Sequence, residues 1–250
     1  MKLVRIQEME NYILSNGTVS LDDLCAEFGV SKNTVRRDIK RLTEKGIIEK
    51  VYGGVTAAEK TLVPFENRKV VHHDEKFRIA QYAGSLIDNN DFVYIDSGTT
   101  TKSMFEDFPV TKEITILTNN LDIINSVADK ENIDLIVLGN HYQHKTRSFV
   151  NVSDPSLLKK YNVNKAFMAC TGVSIQNGLT NADLLEYEVK KSIVQKDNTL
   201  YLLADTSKFG KSTMLTYAPF SRIDHIVTSG ELDEQYVGFC KENGIELIVV

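Results

Sequence analysis

Apolar side chains near the start of the chain recur at the helical period: Leu3, Ile6, Met9, Ile13 and Leu14, before an Asn16-Gly17 stop. Ser20 suits an N-cap, and after it Leu21, Leu24, Cys25 and Phe28 fall at i, i+3, i+4 and i+7. Gly29 closes this second helix. Ser31 caps a third, with Val35, Ile39 and Leu42 as its apolar stripe and Gly46 as its end. Residues 47–51 and 55–56 then read as two strands around a Tyr52-Gly53-Gly54 turn. Residues 58–74, with Pro64 and the adjacent His72 and His73, show no period and read as a linker. Residues 76–87 are expected to be helical. Beyond them, Val/Ile-rich strands at 92–95, 114–117, 133–138, 165–169, 200–204, 223–227 and 245–249 alternate with helices at 100–108, 122–130, 182–196 and 232–243. That alternation predicts a mostly parallel sheet with helices on both faces, an α/β fold. No Gly-x-Gly-x-x-Gly follows the first strand, which argues against a dinucleotide fold.

Composition narrows the class further. The 250 residues, 42% hydrophobic and 25% charged, suit one small and one larger globular unit. No apolar run approaches the roughly 20 residues of a membrane span, and the N-terminus lacks a signal-peptide core. Cys25, Cys170 and Cys240 lie far apart with no Cys-x-x-Cys, so neither a disulfide framework nor a cysteine zinc site is expected. A reducing cytoplasm fits that count. His141-x-x-His144 has metal-like spacing but no acidic or thiol companion, so it reads as a surface loop or pocket rim. No metal or cofactor is expected.

The net charge of −5 hides a local excess: residues 31–50 carry seven basic side chains against three acidic ones. On the third helix Asn33, Arg37, Lys40 and Arg41 point away from the apolar stripe, with Thr34 and Arg36 on its flanks. A helix, a glycine turn and a helix with a basic outer face is a helix-turn-helix, whose second helix enters the major groove of DNA. Arginine pairs bidentately with guanine, and asparagine with adenine. Asp38 repels phosphate and is expected to orient Arg41 or a neighbouring element. Tyr52 and Gly53 at the hairpin tip allow a close backbone approach to phosphate.

In open α/β sheets ligands bind beyond the carboxyl ends of the strands. Four polar clusters stand there: 96–101 (Asp-Ser-Gly-Thr-Thr-Thr), 118–120 (Thr-Asn-Asn), 171–174 (Thr-Gly-Val-Ser) and 205–210 (Asp-Thr-Ser-Lys-Phe-Gly). Ser97, Gly98, Thr99 and Thr100, at the start of a helix, read as a phosphate cradle, with Lys208 as a mobile cation. Asp96 and Asp205 would repel phosphate and are assigned to sugar hydroxyls or to organising the loops. Asn119 and Asn120 offer donors and acceptors to hydroxyls. Taken singly, each cluster also reads as a helix cap. Glu186 and Lys190 alone form an ordinary i, i+4 surface pair.

Residues 31–39 (Ser-Lys-Asn-Thr-Val-Arg-Arg-Asp-Ile) followed by Tyr52-Gly53-Gly54 resemble the N-terminal signature of the DeoR family of bacterial transcription regulators. The resemblance implies a winged helix-turn-helix and carries Thr34, Arg36 and Arg37 over as DNA contacts. With Ser31, Asn33, Lys40, Arg41, Tyr52 and Gly53 they form the expected DNA-binding set. Asp96-Ser-Gly-Thr-Thr, Leu117-Thr-Asn-Asn, Thr171-Gly-Val-Ser, Glu186 with Lys190, and Leu203-Ala-Asp-Thr-Ser-Lys-Phe-Gly210 resemble that family's sensor domain. This part implies a fold similar to ribose-5-phosphate isomerase and a phosphorylated sugar or sugar derivative as effector. Asp96, Ser97, Gly98, Thr99, Thr100, Asn119, Asn120, Gly172, Glu186, Lys190, Asp205 and Lys208 make up the expected effector set, with Tyr142 and Arg147 at the rim. Asn140 and Asn151 depart from glycines common in the family, and Thr206 from a serine.

The expected organisation is 1–57 for DNA binding, 58–74 as linker and 75–250 for effector sensing and oligomerisation. The function implied is a repressor of a carbohydrate-metabolism operon, not an enzyme, with operator DNA, a phosphorylated sugar and a second copy of the chain as partners. The alternative is a sugar-phosphate isomerase using Asp96, Asp205 or Glu186 as base and Lys208 as charge stabiliser. A DNA-binding head contributes nothing to isomerisation, which weighs against it.

Overall fold

The computed structural model describes residues 5–6, 8–10, 12–13, 18–44, 47–57, 65–109, 111–152, 158, 160–195 and 197–250. Leu3, Leu14, Asn16-Gly17, Gly46 and the first part of the expected linker, residues 58–64 with Pro64, lie outside those residues. The chain divides into two compact units, residues 1–71 and 72–250.

In the first unit, residues 5–6, 8–10 and 12–13 are helical. Strand β1 (Val19–Ser20), helix α1 (Leu21–Phe28), helix α2 (Lys32–Glu44) and strands β2 (Ile48–Val51) and β3 (Gly54–Ala57) follow. Ser20 and Asp23 form a reciprocal capping box on α1, and Gly29 ends it in the left-handed region at φ 58. Ile6, Met9, Ile13, Val19, Leu24, Val35, Ile39, Leu42, Ile48 and Val55 form one core, with Cys25 packed on its edge. The hairpin gains a third strand the sequence did not suggest: β1 pairs with β3, Val19 opposite Val55 and Ser20 opposite Gly54. A Cβ on Gly54 would stand 2.2 Å from the Val19 carbonyl oxygen, so that pairing requires glycine. Gly53 faces open space but sits at φ +85.

The span expected to be an irregular linker contains helix α3 (Phe65–Val70), and helix α4 (His73–Ser85) starts before the expected residue 76. His72, itself left-handed at φ 53, meets Glu75 at 2.9 Å, and Glu75 accepts a hydrogen bond from Ser229 at 2.7 Å. Its two adjacent histidines thus open an ordered helix.

In the second unit seven strands form a wholly parallel sheet. They are β4 (Phe92–Ile95), β5 (Ile114–Thr118), β6 (Ile133–Val137), β9 (Lys165–Met168), β12 (Thr199–Leu203), β14 (His225–Thr228) and β15 (Glu246–Val249). Their order is β15-β14-β12-β9-β4-β5-β6. Helices α4 and α5 (Leu121–Val127) bury Ile79, Ala83, Ile123 and Val127 on one face. On the other, α6 (Leu184–Val194) and α7 (Glu234–Asn243) pack through Val189, Ile193, Tyr236 and Cys240. A small antiparallel sheet of β10 (Gly172–Ser174), β11 (Gly178–Asn181) and β13 (Leu215–Ala218) shares that second face, and β7 (His141–Gln143) pairs with β8 (Ser148–Val150) as a hairpin. The strand order runs outward in both directions from β4 and β9. These neighbours are therefore the topological switch point, where the loops leaving the carboxyl ends part to opposite sides and open a crevice.

The helix expected over 100–108 does not form. Residues Thr101–Ser103 make one 3-10 turn, followed by hydrogen-bonded turns. The apolar Met104, Phe105 and Phe108 that suggested a helix are buried from these turns instead.

Candidate DNA-binding and effector sites

Helix α2 is a sorted surface. Val35, Asp38, Ile39 and Leu42 are buried, while Asn33, Arg36, Arg37, Lys40 and Arg41 are exposed and Thr34 is half-buried. Ser31 starts it: the Thr34 N–H donates to the Ser31 hydroxyl at 3.4 Å, and the two hydroxyls meet at 3.1 Å. Tyr52 stands fully exposed at the tip of the hairpin. The expected DNA-binding residues thus share the accessible side of one helix and one hairpin tip of the first unit. Asp38 does not orient Arg41. Its Oδ2 accepts two hydrogen bonds from Arg5, Nε at 3.0 Å and Nη2 at 2.8 Å, so the carboxylate ties the recognition helix to the N-terminal helix. The sequence allowed for a neighbouring element but gave no signal for which.

At the switch point of the second unit the loop after β4 meets the end of β9. Gly98 does not need positive φ. It needs room: a Cβ there would stand 2.4 Å from the Ala169 Cβ. Among the described residues, the N–H groups of Ser97, Gly98, Thr99 and Thr100 have no protein acceptor, and the Thr100 side chain does not cap the following turn. Free N–H groups beside threonine hydroxyls are what an oxyanion needs.

Several of the expected ligand residues around this loop are bonded to the protein itself. Asp96, fully buried, faces the protein. Its Oδ2 accepts from the Ala169 N–H at 2.9 Å and pairs with Lys190, and its Oδ1 accepts from the Tyr94 hydroxyl at 3.4 Å. Lys190 also donates to the Ala169 carbonyl at 3.0 Å and lies 5.4 Å from the Tyr217 ring centre. Glu186 accepts the Ser97 hydroxyl at 2.7 Å, the Ser148 hydroxyl at 3.0 Å and the Asn181 amide at 3.3 Å. Glu186 and Lys190 are thus no surface pair. Both are about 3% exposed and serve separate partners, because α6 turns this face onto the sheet. The Asn120 side chain caps α5 through the Asp122 N–H at 2.8 Å, and the Asn119 amide donates to the Phe149 carbonyl at 3.1 Å. Both side chains bond the protein, and Asn120 fulfils the helix-cap reading of its cluster. Gly172 permits backbone contact, since a Cβ would meet the Lys211 carbonyl oxygen at 2.6 Å.

Asp205 also organises its own loop, accepting from the Ser207 N–H at 3.1 Å and from the Ser207 hydroxyl. Burial acts to raise its pKa, but Lys208, the Ser207 hydrogen bond, Lys76 and His72 outweigh it and hold the carboxyl below its ordinary value. Burial likewise pushes the Cys170 thiol up to about 12, against the pull of Lys208 and Lys190. Half-buried Lys208 is therefore close enough to both groups to place positive charge at this end of the sheet.

Arg147, at φ 53, grips Asp122 through Nε at 3.0 Å and Nη2 at 2.6 Å, and Tyr142 packs against Phe149 and His144. Asn151, left-handed at φ 59, donates to Asn140 at 3.0 Å, so the two departures from the family's glycines are bonded to each other. Sequence reasoning missed Arg5, Tyr94, Ser148 and Tyr217, which join these networks across long stretches of chain, and Asn181, which reaches Glu186 five residues on.

Comparison with known proteins agrees with both halves. Residues 5–61 match the DeoR-like helix-turn-helix domain, and residues 71–230 match the DeoR C-terminal sensor domain. The HTH-type transcriptional regulator IolR of Bacillus subtilis (strain 168) is 63% identical over 246 residues, 98% of each chain. The HTH-type transcriptional repressor GlcR of the same organism is 27% identical over 247 residues, covering 98% of this chain and 95% of its own. Ribose 5-phosphate isomerase A from Methanocaldococcus jannaschii overlaps 55% of each chain at 15% identity and a TM-score of 0.40. The fold assignment rests on the sheet topology and the two family matches rather than on that overlap. No helix among the described residues is long and apolar enough to cross a membrane. A helix-turn-helix with an exposed basic face, joined to a sensor domain, makes this chain a regulator rather than an enzyme: it belongs to the DeoR family of transcriptional regulators.

Proposed function

We propose that this regulator is a cytoplasmic repressor of carbohydrate-metabolism genes that binds operator DNA as a homo-oligomer and is released by a phosphorylated sugar derivative. Residues 1–57 act as the DNA-binding part and 75–250 as the sensing and assembly part. The carrying observation is the loop 97–100, whose N–H groups have no protein acceptor among the described residues, at the switch point of a sheet linked to a helix-turn-helix. That the relative GlcR is a transcriptional repressor supports the direction of control. Two DNA-binding heads in an oligomer match two operator half-sites. By linkage, an effector that weakens operator binding by some factor binds the DNA-bound form less well by that same factor.

The test is fluorescence anisotropy on operator fragments from the chain's own upstream region, with a panel of sugar phosphates as competitors. Release by a phosphorylated sugar but not by its free sugar supports the reading, and release by none of them refutes it. Arg37→Ala is expected to abolish preference for the operator over random DNA, and unchanged preference would count against a base contact. Lys40→Ala should weaken binding to every sequence and reduce the salt slope by about one unit if it meets a phosphate. Gly98→Val should press the loop off Ala169 and cut affinity for inorganic phosphate at least tenfold while leaving DNA binding in place. Wild-type phosphate affinity in that variant, shown to be folded, would remove the loop from the site.

A further inference from the structure

We infer that Glu186 is a positioning residue that couples the phosphate loop to the β7–β8 hairpin, and that through Ser148 this hairpin determines which phosphorylated ligand is accepted. The inference rests on the effector reading above and names the part that gives it specificity. Its basis is a single oxygen atom: Glu186 Oε1 accepts hydrogen bonds both from Ser97, in the loop after β4, and from Ser148, at the start of β8. Ser97 and Ser148 are 51 positions apart in sequence and belong to different structural elements. Glu186 and both serines are almost wholly buried.

Each hydroxyl has one proton, and hydrogen bonds to a charged acceptor are roughly twice as strong as neutral ones. The carboxylate therefore fixes the distance between loop and hairpin more firmly than packing alone would. Its other oxygen takes the Asn181 amide, which keeps the carboxylate from turning away. The hairpin has few other freedoms. The Phe149 N–H donates to the Asn119 carbonyl at 2.8 Å, and Gln143 donates to Asp183, the N-cap of α6, at 2.9 Å. The hairpin also carries Tyr142, the rim residue expected from the sequence. A bare phosphate needs only the loop, whereas a phosphate with a carbon chain attached must also be accommodated beside the hairpin. Removing the Ser148 hydroxyl leaves the loop's own bond to Glu186 intact and loosens the hairpin side, where the Thr146 hydroxyl also loses its partner at 2.8 Å.

The decisive measurement is calorimetry on the full-length protein with inorganic phosphate, glycerol 3-phosphate, ribose 5-phosphate and glucose 6-phosphate as probes. Wild type is expected to prefer at least one organic phosphate to inorganic phosphate by tenfold or more. In Ser148→Ala that preference ratio should fall at least fivefold. A purely structural role for Ser148 would lower all affinities together and leave the ratio unchanged, and that result overturns the proposal. Glu186→Gln keeps a neutral acceptor of the same shape, so its ratio should fall by two- to fivefold. It decides the matter if Ser148→Ala does not fold, and an unchanged ratio there overturns the proposal too. If wild type itself shows no preference for any organic phosphate, the effector reading fails along with the proposal. If wild type shows the preference and the variants keep it, only the role of the hairpin falls.

Discussion

Lys190→Met is expected to destabilise the sensor unit by about 3–5 kcal/mol, the usual cost of removing one partner from a buried ion pair. The geometry explains why the effect is large. Lys190 is 3% exposed and Asp96 is fully buried, so water cannot replace the lost ammonium. Among the described residues the carboxylate would keep only the Ala169 N–H and the long bond from the Tyr94 hydroxyl, and the Ala169 carbonyl would keep Tyr217. The cost belongs to the orphaned charge and not to the pair as such. Asp96→Asn combined with Lys190→Met should therefore be far less harmful than Lys190→Met alone. The chain has no tryptophan, so urea unfolding followed by far-UV circular dichroism is the suitable measurement. A single-variant loss below about 1 kcal/mol would mean that the pair does not hold the loop after β4, and Lys190 would again be a candidate for direct effector contact.

The second large effect falls on the DNA-binding unit. Arg5→Ala is expected to cost about 3–5 kcal/mol there and, with it, operator binding. Asp38 has no exposure, and among the described residues its Oδ1 has no partner, so it relies on the two hydrogen bonds that Arg5 makes to Oδ2. Removing the arginine strands a carboxylate on the inner side of the recognition helix. Arg5→Lys keeps a charge but cannot make both bonds in the plane of one fork, so an intermediate loss is expected. The reverse variant, Asp38→Ala, should cost less, because Arg5 retains partial access to solvent. Denaturation of the three variants checks that order. Equal losses for Arg5→Ala and Asp38→Ala would show that stranded charge is not the cause.

The parts of this molecule that were legible in the sequence are those set by local period and local chemistry. Val35, Ile39 and Leu42 announce the buried side of α2, and thereby the exposed side of Arg36, Arg37 and Lys40. The Val/Ile-rich runs announce the sheet, and the polar residues after β4 are one of four clusters read as its ligand rim, although only the strand order places them at the switch point. What stayed hidden depends on partners remote in the chain. The spacing of Glu186 and Lys190 looks like any solvent-facing helical pair, and only the packing of α6 on the sheet shows that each reaches a different loop. Residues 100–108 have helical spacing, yet the Thr101 hydroxyl donates to the Asp96 and Gly98 carbonyls and the chain there makes a single 3-10 turn. Asn120 shows the opposite lesson: the plain reading of an asparagine after a strand, a helix cap, describes its side chain correctly.

The two glycines of the hairpin tip are adjacent but fixed for unrelated reasons, and this determines how the wing can vary. Gly53 is constrained by its dihedral angle alone and has empty space where a side chain would go. Asparagine or aspartate, which tolerate the left-handed region best, could replace it at modest cost. Gly54 is constrained by the Val19 carbonyl, and any side chain there would force β1 off β3. A library randomised at both positions should thus return a short menu at 53 and glycine alone at 54. In drift as in design, the wing of this regulator can acquire new chemistry at its tip through Tyr52 and residue 53, while the position beside them stays closed.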